Sequence, residues 1–234
     1  MGTMKKIFIL HGWTNNTDKW QKALILLEEK RYEVTLLNIP GLTGDIDRPW
    51  DLNDYVDWLD KTLSKEKDKP ILIGHSNGGR IAIAYSAKHP EKIKHLILID
   101  SAGVYHNELP IRLKRFVFNN VAKIGKKLTS SDKLRNVLYK LARENDYKDA
   151  NPLMRETMAN VISVDLTSTL DKITIPTLII WGEQDTLTPI GDAKLMHKLI
   201  KNSKFYVVKS TRHSPQYTHP EEVVKKIEEN ISNL

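Results

Sequence analysis

The sequence predicts an α/β fold, a mostly parallel sheet with helices on both faces. Three observations carry this. Six short apolar runs recur along the 234 residues. The runs are continuous rather than alternating, as strands covered on both faces should be. Longer stretches with helical apolar spacing lie between them, so strand and helix alternate along the chain.

The elements follow in order. Residues 7–10 (IFIL) read as the first strand and residues 18–30 as the first helix, with Thr17 as its N-cap. Residues 34–39 give a second strand. A helix over 52–65 follows Asp51, another residue suited to an N-cap. Residues 71–73 are the third strand, 78–89 a helix, and 96–99 the fourth strand. Residues 177–181 and 205–208 are the last two strands, separated by a helix over 190–200. A final helix covers 220–231, with Pro220 in its first turn, where a missing N–H costs nothing.

One segment breaks the alternation. Residues 104–168 hold no strand-like run, only helical patterns, with a helix start at Asn151-Pro152 and a break at Gly125. Twelve basic residues there face seven acidic ones, so this insert carries +5 of the chain's net charge of +7. It is read as a helical lid inserted into a core formed by residues 4–103 and 169–234.

Composition narrows the function classes. Hydrophobic residues at 40% and charged residues at 28% are ordinary for a globular chain. With no cysteine there is no disulfide, thiol nucleophile or thiolate metal site. No apolar run approaches the roughly 18 to 20 residues of a membrane span, and "IFIL" is too short for a signal-peptide core. A cytoplasmic protein is the expectation. The basic balance comes without a long Lys/Arg run, so a solvated lysine-rich surface is expected rather than a nucleic-acid partner. Oligomeric state is not legible.

The stretch "ILIGHSNGGRIA" carries the chemistry. An apolar strand stops at Gly74, shows Ser76, and resumes as a helix at Gly78. A serine hydroxyl is a poor nucleophile at neutral pH and must be exposed and activated. A sharp strand-to-helix turn exposes it, and the turn fits only if close neighbours lack side chains. The helix N-terminus also brings a backbone N–H near developing negative charge. This Gly-x-Ser-x-Gly pattern, between strand and helix, resembles the nucleophile elbow of the α/β-hydrolase fold. The resemblance runs over almost the whole chain. Many members begin with two further strands, which are missing here; a trimmed sheet of about six parallel strands is expected, with one edge covered by something else.

The resemblance implies a triad in the chain order serine, acid, histidine. "PTLIIWGEQD" looks like the family's strand and acid loop, and "RHSPQYTHPEEV" like its histidine loop. They place Asp185 and His213 beside Ser76 as the catalytic set. Asp100, at the end of the strand after the nucleophile helix, is the competing acid. The first strand runs into "HGW", which by the same resemblance makes the backbone N–H groups of Trp13 and Asn77 the oxyanion donors. His11 is expected to support that loop. Trp13 and His75 are assigned to the substrate pocket, His75 with a packing or hydrogen-bonding role. His219 is expected at the surface, and Arg48 in a loop-bracing ion pair. No metal and no cofactor are expected.

The implied activity is hydrolysis of a small or medium carboxylic ester through an acyl-enzyme. Lactone and carbon–carbon hydrolysis use the same triad. A ligand receptor on this fold is the alternative of another class. Activity should fall below roughly pH 6 to 7, where the histidine base is protonated. In the lid, Arg112 or Arg115 could contact an anionic group of the substrate.

Overall fold

A computed structural model describes residues 4–105 and 152–232. Its strands are β1 (Lys5–Leu10), β2 (Tyr32–Leu36), β3 (Ile71–His75), β4 (His95–Ile99), β5 (Thr177–Gly182) and β6 (Ser203–Val208). They form one six-stranded sheet in the order β2-β1-β3-β4-β5-β6. Every pairing is parallel. The helices are α1 (Gln21–Glu29), α2 (Leu52–Leu63), α3 (Asn77–Lys88), α4 (Pro152–Ile162), α5 (Ile190–Leu199), α6 (Pro215–Thr218) and α7 (Pro220–Ile231).

The strand order fixes where a ligand can bind. The chain goes outward from β1 to β2, then reverses and builds β3 to β6 on the other side of β1. Loops leaving β1 and β3 therefore diverge, opening a crevice at the carboxyl ends of those two strands. The segments His11-Gly12-Trp13 and Ser76-Asn77 lie just beyond those ends.

Alternation along the strands builds two cores. Ile71, Ile73, Ile97 and Ile99 pack on one face with Trp20 of the entry to α1 and Ile227 of α7. Leu72, Leu96 and Leu98 point to the other face, against Leu59 of α2 and Ile83 of α3. Each such side chain, fully buried, contributes about 1.5–3 kcal/mol.

Helix α2 shows how the sequence encodes its own boundaries. Leu52, Tyr55, Val56, Leu59 and Leu63 are buried at helical spacing. Asp51 caps it as expected: its Oδ1 accepts from Asn53 N (2.7 Å) and Asp54 N (3.0 Å), while Asp54 Oδ2 accepts from Asp51 N (2.9 Å). Such a cap is worth about 1 kcal/mol. Arg48 donates to Asp54 at 2.9 Å, the expected bracing ion pair. Helix α7 begins at Pro220, where the sequence placed a helix start.

Two expectations need correction. Thr17 makes no side-chain cap. The chain enters α1 through a 3-10 turn, Asp18–Trp20, and Asn16 Oδ1 accepts the Asp18 N–H at 2.8 Å instead. The strands are also not uniformly buried. β2 and β6 are the sheet edges, and β2 alternates buried and exposed positions. That edge is short and carries the half-exposed pair Lys6–Glu33, which discourages further strand pairing.

Residues 106–151, which include most of the expected lid with Arg112 and Arg115, lie outside the described residues. Among the described residues no helix is long and apolar enough to cross a membrane.

Candidate active site

The turn between β3 and α3 is held in an unusual backbone state. Ser76 has φ 52° and ψ −119°, in the positive-φ region that side chains other than glycine's rarely tolerate. Such a residue costs on the order of 1–3 kcal/mol and persists only where its surroundings over-determine it. They do so here. The Ser76 N–H donates to Ile99 O at 3.2 Å, and the Ser76 C=O accepts from Gly79 N (3.0 Å) and Ala102 N (2.9 Å). The flanking glycines supply the space. A Cβ at Gly74 would stand 2.6 Å from Gly79 Cα, and one at Gly78 would strike the Leu10 carbonyl.

The loop after β1 passes directly by the serine. A Cβ on Gly12 would lie 3.1 Å from Ser76 Cβ. His11 fixes this loop. It is fully buried, its Nδ1 bonds Gly12 O at 2.8 Å, and its Nε2 bonds Thr43 Oγ1 at 3.1 Å. Burial lowers its pKa, so the ring is neutral at pH 7, with the proton on the nitrogen facing the carbonyl. Among the described residues, neither the Trp13 N–H nor the Asn77 N–H is taken by a backbone carbonyl. Trp13 is half-buried against the core on the α2 and α3 side.

The loops after β5 and β6 bring Asp185 and His213 together. Asp185 Oδ2 meets His213 Nδ1 at 2.7 Å. The same oxygen accepts from Thr188 Oγ1 at 2.6 Å, while Oδ1 accepts the N–H groups of Leu187 (2.8 Å) and Thr188 (3.1 Å). Burial is the largest influence and would raise the Asp185 pKa. The His213 contact, the Thr188 hydroxyl and the Leu187 N–H together outweigh it and hold the carboxyl below its ordinary value. With Nδ1 turned to Asp185, His213 has Nε2 left to accept a proton.

Asp100 does something else. Its Oδ1 accepts the Gly182 N–H at 2.8 Å and its Oδ2 accepts the Ser214 N–H at 2.7 Å. It is fully buried, and burial pushes its pKa up to about 7 despite those two donors.

His75 is not in an open pocket, contrary to the sequence assignment. It is only 4% exposed and packs among Trp20, Tyr217 and His213, with its ring centroid 5.0 Å from that of His213. The reason is strand alternation: His75 shares a face with Ile71 and Ile73, the face that α1 and α7 cover. Its Nε2 bonds Ser214 Oγ at 3.2 Å, and burial, followed by the nearby histidines, keeps it neutral. His219 is the N-cap position before α7; its ring Nδ1 bonds Thr218 Oγ1 at 3.0 Å, and its backbone bonds Pro215 O and Val223 N.

His75, Asp100 and His213 each bring a potential ligand atom within 4.8 Å of the others. Both Asp100 oxygens already accept backbone N–H groups, and His213 Nδ1 faces Asp185.

Sequence reasoning missed three contributors. Thr188 follows Asp185 at i+3, a spacing at which a hydroxyl can cap a carboxylate turn; this signal was available. Ser214 and the tethering role of Asp100 had none, since their partners are far away in the chain.

The comparisons agree with this architecture. A family profile described as alpha/beta hydrolase fold matches residues 6–220. The chain is 27% identical to the pimeloyl-[acyl-carrier protein] methyl ester esterase of Legionella pneumophila (strain Paris), over 96% of this chain and 94% of that protein. Among solved structures, a bromoperoxidase from Bacillus anthracis aligns with TM-score 0.75 and 23% identity, covering 99% of this chain and 93% of the other. A lipase-esterase related protein from Clostridium acetobutylicum aligns with TM-score 0.73 and 18% identity, covering 97% and 94%. With the profile spanning nearly all of the chain, and the sheet order and elbow in place, this protein belongs to the α/β-hydrolase fold family.

Proposed function

We propose that the chain is a serine hydrolase of carboxylic esters. The observation that carries the reading is the Asp185–His213 contact of 2.7 Å, at the sheet edge where Ser76 is held at positive φ. Ser76 Oγ attacks the ester carbonyl carbon while His213 Nε2 takes its proton. Asp185 holds the imidazole by Nδ1 and stabilises the imidazolium. The carbonyl oxygen, now negative, accepts from the N–H groups of Trp13 and Asn77. Each such donor is worth about 3 kcal/mol of barrier. The alcohol leaves with the proton from His213, and water then repeats the sequence on the acyl-enzyme. These steps need neither metal nor cofactor.

The favoured substrate class is the methyl ester of a medium-length acyl chain, free or joined to a carrier protein. The relatives named as pimeloyl-[acyl-carrier protein] methyl ester esterases support it, at 22–27% identity.

Hydrolysis of p-nitrophenyl esters of graded acyl length, by the wild type beside Ser76→Ala, tests the chemistry. Turnover in the wild type and a loss of at least about 10³-fold in the variant are expected. Absence of turnover on every ester, methyl esters and lactones included, would remove the reading. Methyl pimelate presented free and on a carrier protein then tests the substrate class. A carrier preference of at least tenfold in kcat/KM is expected for a carrier-dependent enzyme; equal values place the specificity in the acyl chain alone.

A further inference from the structure

We propose that Asp100 is a positioning residue that holds the acid loop and the histidine loop in register through a single carboxylate. The proposal deepens the hydrolase reading and rests on it for its kinetic part. One oxygen takes the N–H of Gly182, where β5 enters the acid loop, and the other takes the N–H of Ser214, next to His213. The two partners are 82 and 114 residues away in sequence, so this side chain joins segments that nothing local connects.

The tether is itself held rigidly. Asp100 lies at φ 41°, its N–H donates to Ile180 O at 3.0 Å, and its C=O is 3.2 Å from Thr188 Oγ1. Three strands thus converge on it: β4 supplies the carboxylate, β5 fixes its main chain through Ile180 O, and the β6 loop hangs from its Oδ2. A shift of about 1 Å in His213 would be enough to cost catalysis on the order of a hundredfold. A carboxylate is the fitting group, because it accepts from two N–H groups in different directions and holds them more strongly when ionised.

The ionisable groups around it are Asp185 on the acid loop, His213 on the histidine loop and His75 at the end of β3. Burial raises the Asp100 pKa most, the two backbone N–H groups lower it, Asp185 raises it and His213 lowers it, leaving it at about 7. The tether therefore strengthens as pH rises through neutrality.

The test uses the full chain with Asp100→Asn and Asp100→Ser. Asparagine keeps the shape but can accept only one of the two N–H groups. Rates are normalised to active sites titrated with a phosphonate ester. The expected result is a fall in kcat of about 10- to 100-fold with KM within about threefold, and an acid limb of the kcat profile displaced by at least about 0.5 pH. A kcat within twofold of wild type with an unmoved acid limb would overturn the proposal. Should both variants fail to fold, amide NMR on the Ser76→Ala protein decides it. The Gly182 and Ser214 amide protons should be protected from exchange as hydrogen-bonded donors, and any ionisation of Asp100 should move both together. Amides that exchange as freely as exposed loop N–H groups, or that move with separate midpoints, overturn the tether. This second readout needs no turnover, so it still stands if no ester is hydrolysed.

Discussion

The two halves of the candidate site are built by different forces. On the β1 and β3 side, the elbow is shaped by contact. Ser76 sits at φ 52° because glycines let the chain close around it, and among the described residues its backbone bonds to main-chain groups, Ile99 O, Gly79 N and Ala102 N. On the β4, β5 and β6 side, the loops are shaped by hydrogen bonds to two buried carboxylates, Asp100 and Asp185. Contact is indifferent to pH, whereas carboxylates are not. The nucleophile should therefore keep its geometry across a pH range in which its acid–base partners change theirs.

The most damaging way to break the first half is Gly78→Ala. The new methyl would strike the Leu10 carbonyl and stand 2.5 Å from His11 O. Both are backbone atoms of the β1 exit, which cannot swing aside as a side chain would. Overpacking in a dense core costs about 1–3 kcal/mol and more when backbone is the obstacle. The expected outcome is loss of soluble folded protein, or a fall in Tm of more than about 10 °C, with the same deficit at pH 6 and pH 9. A variant with wild-type Tm and activity would show that the elbow is looser than these contacts imply.

The second half should answer to pH, and its two carboxylates should answer with opposite sign. Asp100 holds its proton up to about 7 in the folded chain but only to 3.8 when unfolded. Between those values the folded state binds more protons, so this group's contribution falls as pH rises from about 4 to about 7 and is level above. The gap corresponds to at most about 4 kcal/mol. Asp185 is shifted the other way. It contributes stability above its unfolded value of 3.8, and this is lost as pH falls through its lower folded value. Thermal unfolding of wild type and Asp100→Asn from pH 4 to pH 8 measures the first effect. The Tm of the variant relative to wild type should climb as pH rises. A constant difference would mean that Asp100 stays ionised throughout.

The same contrast explains what could be read from the sequence. The elbow was legible because its sterics are local: Gly74, Ser76 and Gly78 fall within five residues, after a buried apolar run. The parallel sheet was legible because continuous apolar runs follow from burial on both faces. It failed at the edges, where β2 alternates buried and exposed positions and β6 is mostly half-buried. For His75 the packing and hydrogen-bonding role fits, since strand alternation sends its ring to the α1 and α7 face, whereas the pocket assignment does not. The tether by Asp100 could not be read at all. Its two partners are backbone N–H groups, which every residue but proline carries, so no residue type marks them.

Thr188 offers the smallest and most selective probe of the hydrogen-bonded half. Its hydroxyl reaches Asp185 Oδ2 at 2.6 Å, the oxygen that also meets His213, and lies 3.3 Å from His213 Nδ1. Thr188→Val removes that donor while keeping the branched shape and the backbone N–H to Asp185 Oδ1. Asp185 keeps three of its four contacts, so the carboxylate stays in place but loses one influence that holds its pKa down. Loss of one hydrogen bond to a charged group is worth about 1.5 kcal/mol, or roughly tenfold. The expected effect is a kcat lower by about that factor, a KM nearly unchanged, and recovery in Thr188→Ser, which restores the hydroxyl. A drop as deep as that of Asp185→Asn would mean that Thr188 orients the imidazole directly. No drop at all would mean that the two loop N–H groups and His213 already fix Asp185 without it.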